Sequence, residues 1–173
     1  MKNDVIFREI KQDDKAAFIF AMQHSQSFHH PWVKAPSTNE EFDQYFERFQ
    51  QDRHKGYVVC DLANNIAGVF NLNEIVRGLF QNAYLGFYAV AHYAGEGYMS
   101  AGLKKLLNHF FNELALHRIE ANIQPTNTQS IQLVKSNGFR YEGSSPHYLK
   151  INGIWQEHEH WAMTQEDFIK LNR

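Results

Sequence analysis

Two periodicities share this chain. Apolar runs of strand length fall at residues 5–10, 56–62, 66–72, about 81–90 and 117–123. Each is rich in aromatic or β-branched residues, as buried strands are. Between them, apolar residues recur at helical spacing. Ala17, Phe18, Phe20 and Ala21 follow Asp13, which reads as the cap of a helix over about 14–23. Phe42, Tyr45, Phe46 and Phe49 follow Thr38, with Glu41 placed to close a capping box; this aromatic stripe reads as core. The most regular helical pattern runs over about 97–116, with Met99, Leu103, Leu106, Phe110 and Leu114 on one face. Gly102 inside it weakens the helix, a cost that close packing on a strand would explain.

Turn residues divide the pattern. Asn64 reads as the tip of a tight hairpin, Arg77-Gly78 mark another turn, and Asn152-Gly153 join strands at 148–151 and 154–163. Thr164 to Asp167 open a short final helix. Residues 25–37, with His29, His30, Pro31, Trp32 and Pro36, read as a loop or broken helix. Antiparallel strands followed by a helix crossing between neighbouring strands imply an α/β fold, a mixed sheet flanked by helices. No repeat or linker is visible, so 1–173 reads as a single domain.

Residues 85–100, LGFYAVAHYAGEGYMS, carry the first candidate chemistry. A buried strand runs into Gly95 and Gly97, and a helix then begins at Tyr98. Glycines let the backbone approach a ligand, and the N–H groups of a first helical turn suit an anionic phosphate. A plain tight turn explains the same residues. In the second segment, Asn127 caps a helix with Ile131 and Val134 on its buried face, and Gly138 stops it before Phe139.

The motifs recur in a fixed order: Ala94-Gly95-Glu96-Gly97-Tyr98-Met99, then Leu116-His117-Arg118-Ile119-Glu120-Ala121, then Asn127-Thr128-Gln129-Ser130, then Gly138-Phe139. The chain closes on Tyr148-Leu149-Lys150-Ile151-Asn152-Gly153-Ile154-Trp155-Gln156-Glu157-His158. Together they resemble the acetyl-CoA-binding core of the GNAT N-acetyltransferase superfamily, and more narrowly its ribosomal-protein-alanine (Rim-type) branch. The match is detailed over the second half and follows pattern only in the first. The resemblance implies a mostly antiparallel central sheet splayed at the cofactor site. It implies acetyl-CoA as co-substrate and direct attack by a primary amine through a tetrahedral intermediate. The acceptor it points to is the N-terminal α-amine (Ala or Ser) of a ribosomal or other protein.

Site roles follow from the same resemblance. Backbone N–H groups of Ala94, Gly95, Glu96, Gly97, Tyr98 and Met99 hold the pyrophosphate, although Ala94 stands where Gln or Arg is usual. Tyr88, Ala89 and Val90 line the pantetheine arm, with a backbone N–H near Ala89 facing the oxyanion. Asn127 bonds the arm or only caps its helix. Val134 replaces the Tyr that commonly protonates the leaving thiolate, which leaves Ser130 for that role or for simple helix capping. Glu157 is the first candidate to relieve the amine of its proton and His158 the second. Strand alternation puts them on opposite faces, so they are rivals. His147 and Glu74 are outsiders. Trp32 is placed to line the acceptor groove. Small-amine acetylation (polyamine, amino acid or aminoglycoside) and a non-catalytic acyl-CoA-binding module are the rival functions.

Composition narrows the class. With 43% apolar and 14% aromatic residues the chain is suited to a packed core, and a formal charge of −2 gives nucleic acid no electrostatic attraction. The single Cys60 excludes an internal disulfide framework and suits a reducing cytoplasm. Nothing after Met1-Lys2-Asn3-Asp4 reads as a leader or a membrane span. Ten histidines raise the question of a metal, with His29-His30 and His158-x-His160 the closest spacings, but no Cys cluster or His-Glu-x-x-His accompanies them, and no metal is expected. Oligomeric state stays open between monomer and homodimer.

Overall fold

The computed structural model describes residues 4–173; Met1 to Asn3, part of the N-terminal reading above, lie outside them. Seven strands form one sheet: β1 (Ile6–Glu9), β2 (Lys55–Cys60), β3 (Ile66–Val76), β4 (Asn82–Ala89), β5 (Arg118–Ile123), β6 (Arg140–Ile151) and β7 (Ile154–Thr164). The helices are α1 (Lys15–Gln23), α2 (Gln26–His29), α3 (Asn39–Arg48), α4 (Tyr98–Asn112), α5 (Thr128–Ser136) and α6 (Gln165–Leu171). The sheet order is β1-β2-β3-β4-β5-β7-β6. Among the described residues only β4 and β5 run parallel, connected through α4; the other neighbours are antiparallel.

Both faces of the sheet are covered. In β2, Tyr57 and Val59 join the core under α4, while Val58 and Cys60 join the core under α1 and α3. That two-sided burial is why β2 reads as a continuous apolar run rather than an alternation. Leu103, Leu106 and Phe110 of α4 are fully buried. On the other face, Phe18 and Met22 of α1 meet Phe42 and Tyr45 of α3. Phe46 and Phe49 pack against that cluster, so the aromatic stripe is core. A Cβ at Gly102 would lie 2.9 Å from atoms of Val59 and Phe70, so the glycine lets α4 settle onto β2 and β3.

Local signals hold with some corrections. Asp13 caps nothing: a 3-10 turn over Gln12–Asp14 precedes α1, and the Asp14 carboxylate takes the Lys11 N–H and the Arg8 guanidinium. Thr38 accepts the Glu41 N–H, but the Glu41 carboxylate turns to Ser37 and Lys34, so only half the capping box forms. α4 stops at Asn112 rather than 116, and Ala115 then takes a left-handed φ of 51°. Asn152 (φ 49°) and Gly153 (φ 83°) turn the β6–β7 hairpin as expected. β6 begins at Arg140, eight residues before the strand expected from the sequence. It is the sheet edge and mostly exposed, so no apolar alternation marks it. Its register against β7 breaks after Tyr141 and again between Ser145 and Leu149.

Candidate functional site

β4 and β5 pair over only three positions, ending at Tyr84 opposite Glu120. Beyond that, β4 stays with β3 as far as Ala89 opposite Gly68, and β5 stays with β7 as far as Ile123 opposite Glu159. The sheet therefore splays, and a cleft of about 770 Å³ opens where the strands part. One wall is the end of β4 and the loop into α4, the other is α5, and residues 28–33 roof it.

The β4 wall is defined by its hydrogen bonds. The Val90 N–H donates to the Ala67 carbonyl at 2.9 Å, on the β3 side. In an antiparallel ladder the neighbouring residue projects its N–H and C=O to the opposite edge. The backbone groups of Ala89 therefore face the side that β5 has left. Tyr88 and Ala89 line the cleft, whereas Val90 is buried in the core beneath α1 and α3.

The loop into α4 is a cradle. Gly95 and Gly97 take φ of 81° and 88°, and a Cβ on either would meet nothing within 4 Å. Gly97 is the N-cap residue of α4, and the Ala101 N–H closes the first helical bond on its carbonyl at 3.0 Å. The N–H groups of Tyr98, Met99 and Ser100 thus have no helical partner. Two expected donors are already used: the Ala94 N–H bonds Ala91 O at 3.2 Å and the Glu96 N–H bonds Tyr93 O at 3.3 Å. Ala94, Gly95, Gly97 and Met99 line the cleft; Glu96 and Tyr98 do not. No acidic residue sits in the first turn of α4. Met99 packs its sulfur over Gly68, where any Cβ would collide with it.

On the α5 wall, Asn127 Oδ1 accepts the Ser130 N–H at 3.2 Å, so Asn127 caps the helix and also lines the cleft. Ser130 lines it too, and its hydroxyl makes no protein hydrogen bond among the described residues. Val134 is fully buried in the core, while Leu133 faces the cleft. Sequence reading missed Asn137, a buried residue that bonds Leu133 O at 2.8 Å and Ser100 Oγ at 3.2 Å. It ties the end of α5 to the first turn of α4, and nothing in its local sequence marks it.

Trp32 lies in the roof, with its indole N–H on Thr126 Oγ1 at 3.2 Å; the Asn152 side chain bonds Pro31 O at 3.0 Å. His29 is a further lining residue, weighed in the sequence only as a metal ligand. It is buried, with Nε2 2.8 Å from Ala89 O. Burial holds its pKa below the usual histidine range.

Neither Glu157 nor His158 is among the cleft-lining residues. They do fall on opposite faces: Glu157 is exposed and His158 buried. His158 Nδ1 is 3.1 Å from Gln156 O, and burial lowers its pKa. Glu74 is spent on an ion pair with Arg53, and neither it nor the exposed His147 lines the cleft. Cys60 is buried and its thiol pKa is pushed up to about 11 by desolvation, so it is no nucleophile. Among the described residues, no group of three or more His, Cys, Asp or Glu side chains could hold a metal ion, and no helix is long and apolar enough to cross a membrane.

Comparison with known proteins agrees with this geometry. The family model "Acetyltransferase (GNAT) domain" matches residues 4–140. The [ribosomal protein uS5]-alanine N-acetyltransferase of Escherichia coli is 36% identical over 103 residues, 60% of this chain and 53% of that protein. The alignment thus spans about half of that relative. A spermidine N(1)-acetyltransferase of Vibrio cholerae is 23% identical over 98% of both chains. The solved structure of Mycobacterium smegmatis RimJ in complex with CoA-disulfide superposes with a TM-score of 0.87 at 25% identity, covering 99% of this chain and 91% of that one.

Proposed function

Because the chain belongs to the GNAT acetyltransferase family, we propose that this N-acetyltransferase takes acetyl from acetyl-CoA and delivers it to the N-terminal α-amine of a protein, Ala or Ser first, in the cytoplasm. The observation that carries the reading is the splay beyond Tyr84, which leaves one strand edge and one open helix start on the same cleft.

The residues present suit acetyl-CoA. The open space and positive φ at Gly95 and Gly97 let a phosphate reach the backbone, and the first turn of α4 supplies donors aligned with the helix dipole. The free edge of β4 offers main-chain groups to an amide-bearing arm. The bound molecule supplies an acyl group already activated as a thioester.

This chain's residues then have four tasks. The α4 start holds the phosphates. The Ala89 N–H faces the carbonyl oxygen as negative charge develops there. Ser130 passes a proton toward the departing sulfur. Glu157, exposed on β7, receives the amine proton through water. An α-amine with a pKa near 8 needs no stronger base. His158 is the alternative proton acceptor.

The lining of the cleft also bears on the acceptor. No Asp or Glu lines the cleft among the described residues, so a polyamine finds no counter-charge in it. The spermidine-acetylating relative keeps that second acceptor in the test. Purified protein is incubated with acetyl-CoA and a panel of Ala-, Ser- and Met-starting peptides, spermidine and an aminoglycoside, and products are read by mass spectrometry. Acetyl confined to the α-amine of Ala or Ser peptides is expected. Turnover on spermidine alone overturns the acceptor and keeps the chemistry. CoA binding without any product overturns the chemistry.

A further inference from the structure

The last peptide plane of β4 is held at both ends. Its N–H, on Val90, donates to Ala67 O at 2.9 Å, and its C=O, on Ala89, faces His29 Nε2 at 2.8 Å. One clamp comes from the sheet and the other from α2. A second clamp sits two residues on: the Ala91 N–H donates to Ser25 Oγ at 3.0 Å, and that hydroxyl donates to Ala21 O at 2.8 Å. Both side chains are buried, Ser25 at 1% and His29 at 4% exposure. The segment 25–29 therefore grips the end of β4 where β5 no longer does.

The chemistry of the grip is specific. A carbonyl only accepts, so Nε2 carries the hydrogen, and the neutral ring is its Nε2–H tautomer. Nδ1 is buried without a partner among the described residues, and protonating it would strand a second N–H in the core. The ring is braced edge-on against Tyr88 at 5.5 Å. Among the described residues, the ring thus makes one hydrogen bond, to this carbonyl.

We infer that His29 is a positioning residue for acetyl transfer: by occupying the Ala89 carbonyl in place of the absent β5, it fixes this strand end and leaves the Ala89 N–H open to the cleft. The inference rests on the acetyltransferase reading above. An extended residue presents its N–H and C=O to the same edge. With the carbonyl taken, that edge offers a donor and no acceptor, which selects a carbonyl oxygen over an amide N–H at this point. A donor held in place before the reaction costs no reorganisation when charge develops.

The test compares His29→Ala with His29→Gln, whose amide can donate to the same carbonyl but cannot titrate at neutral pH. Steady-state kinetics, CoA titration calorimetry, thermal unfolding and amide hydrogen exchange are measured on both. For His29→Ala, kcat falls about 10–100-fold while CoA affinity changes less than about threefold, and the Val90 amide exchanges faster. For His29→Gln, most of kcat returns, the pH profile is unchanged, and Val90 protection returns. A wild-type kcat in His29→Ala overturns the inference. So does a His29→Gln variant as slow as His29→Ala that has lost the acidic limb of its pH profile, because His29 is then the base. A fall in thermal stability with kcat intact makes the contact structural only, which also overturns it. If the wild-type protein transfers no acetyl group, the underlying reading has failed, and the exchange data still decide whether His29 fixes this peptide.

Discussion

Gly102 of α4 lies directly over Val59 of β2, with room for a hydrogen atom and nothing larger: a Cβ there would be 2.9 Å from both Val59 Cβ and Cγ2. Val59 is fully buried in a central strand and cannot retreat. Gly102→Ala gains about 1 kcal/mol of helix propensity and meets a packing cost of about 1–3 kcal/mol. A net loss of about 1 kcal/mol is expected in urea unfolding. A gain in stability would show that α4 lifts off the sheet freely.

At Gly97 the cost is backbone alone. Nothing crowds its missing Cβ, but its φ of 88° costs an L-residue about 1–2 kcal/mol. Gly97→Ala is expected to weaken CoA binding about tenfold by calorimetry, because the donors of the first α4 turn shift. Unchanged affinity would remove this loop from the binding site.

Asn127 and Ser130 share one hydrogen bond but have separable duties. Asn127→Ala removes the cap of α5 and is expected to cost about 1 kcal/mol of stability. Ser130→Ala removes a hydroxyl with no protein partner among the described residues, so stability is expected to hold while kcat drops about 100-fold or more. Thermal melts alongside initial rates separate the two. An unaltered kcat in Ser130→Ala would leave the hydroxyl without a role in transfer.

Stability is expected to decline on mild acidification. Burial lowers the pKa of His29, His54 and His158 in the folded protein. The unfolded chain then binds protons that the folded one refuses, so their contribution is whole above the unfolded value near 6.5 and is lost as pH falls toward the folded values. Melting temperature should fall from pH 7 to 5.5, and less steeply in a His54→Gln, His158→Gln double variant. A flat profile in the parent protein would contradict the shifts. Asp14 and Glu41, held low by the Arg8 and Lys34 side chains, lose their contribution only below about pH 4.

The cradle and the hairpins were legible because each depends on a residue type with one physical use. Gly95, Gly97 and Gly153 supply positive φ, and Asn127 supplies a capping oxygen. The buried strands were legible because they are covered on both faces. β6 was not, because an edge strand carries no core pattern. Asn137 and His29 were not, because each bonds a partner distant in the chain that no spacing reveals. Glu157 and His158 were separated correctly by strand alternation, but alternation does not say how far a strand end lies from a cleft wall.

The two outermost strands of the sheet share a property with a bearing on how the protein behaves at high concentration. β1 has four residues, and β6, though twelve residues long, loses register twice and carries Pro146 and the φ 136° Gly143. Neither margin presents a long, flat row of backbone groups on which another copy could stack. The brevity of β1 and the broken register of β6 thereby guard the molecule against fibril growth and edge-to-edge clumping.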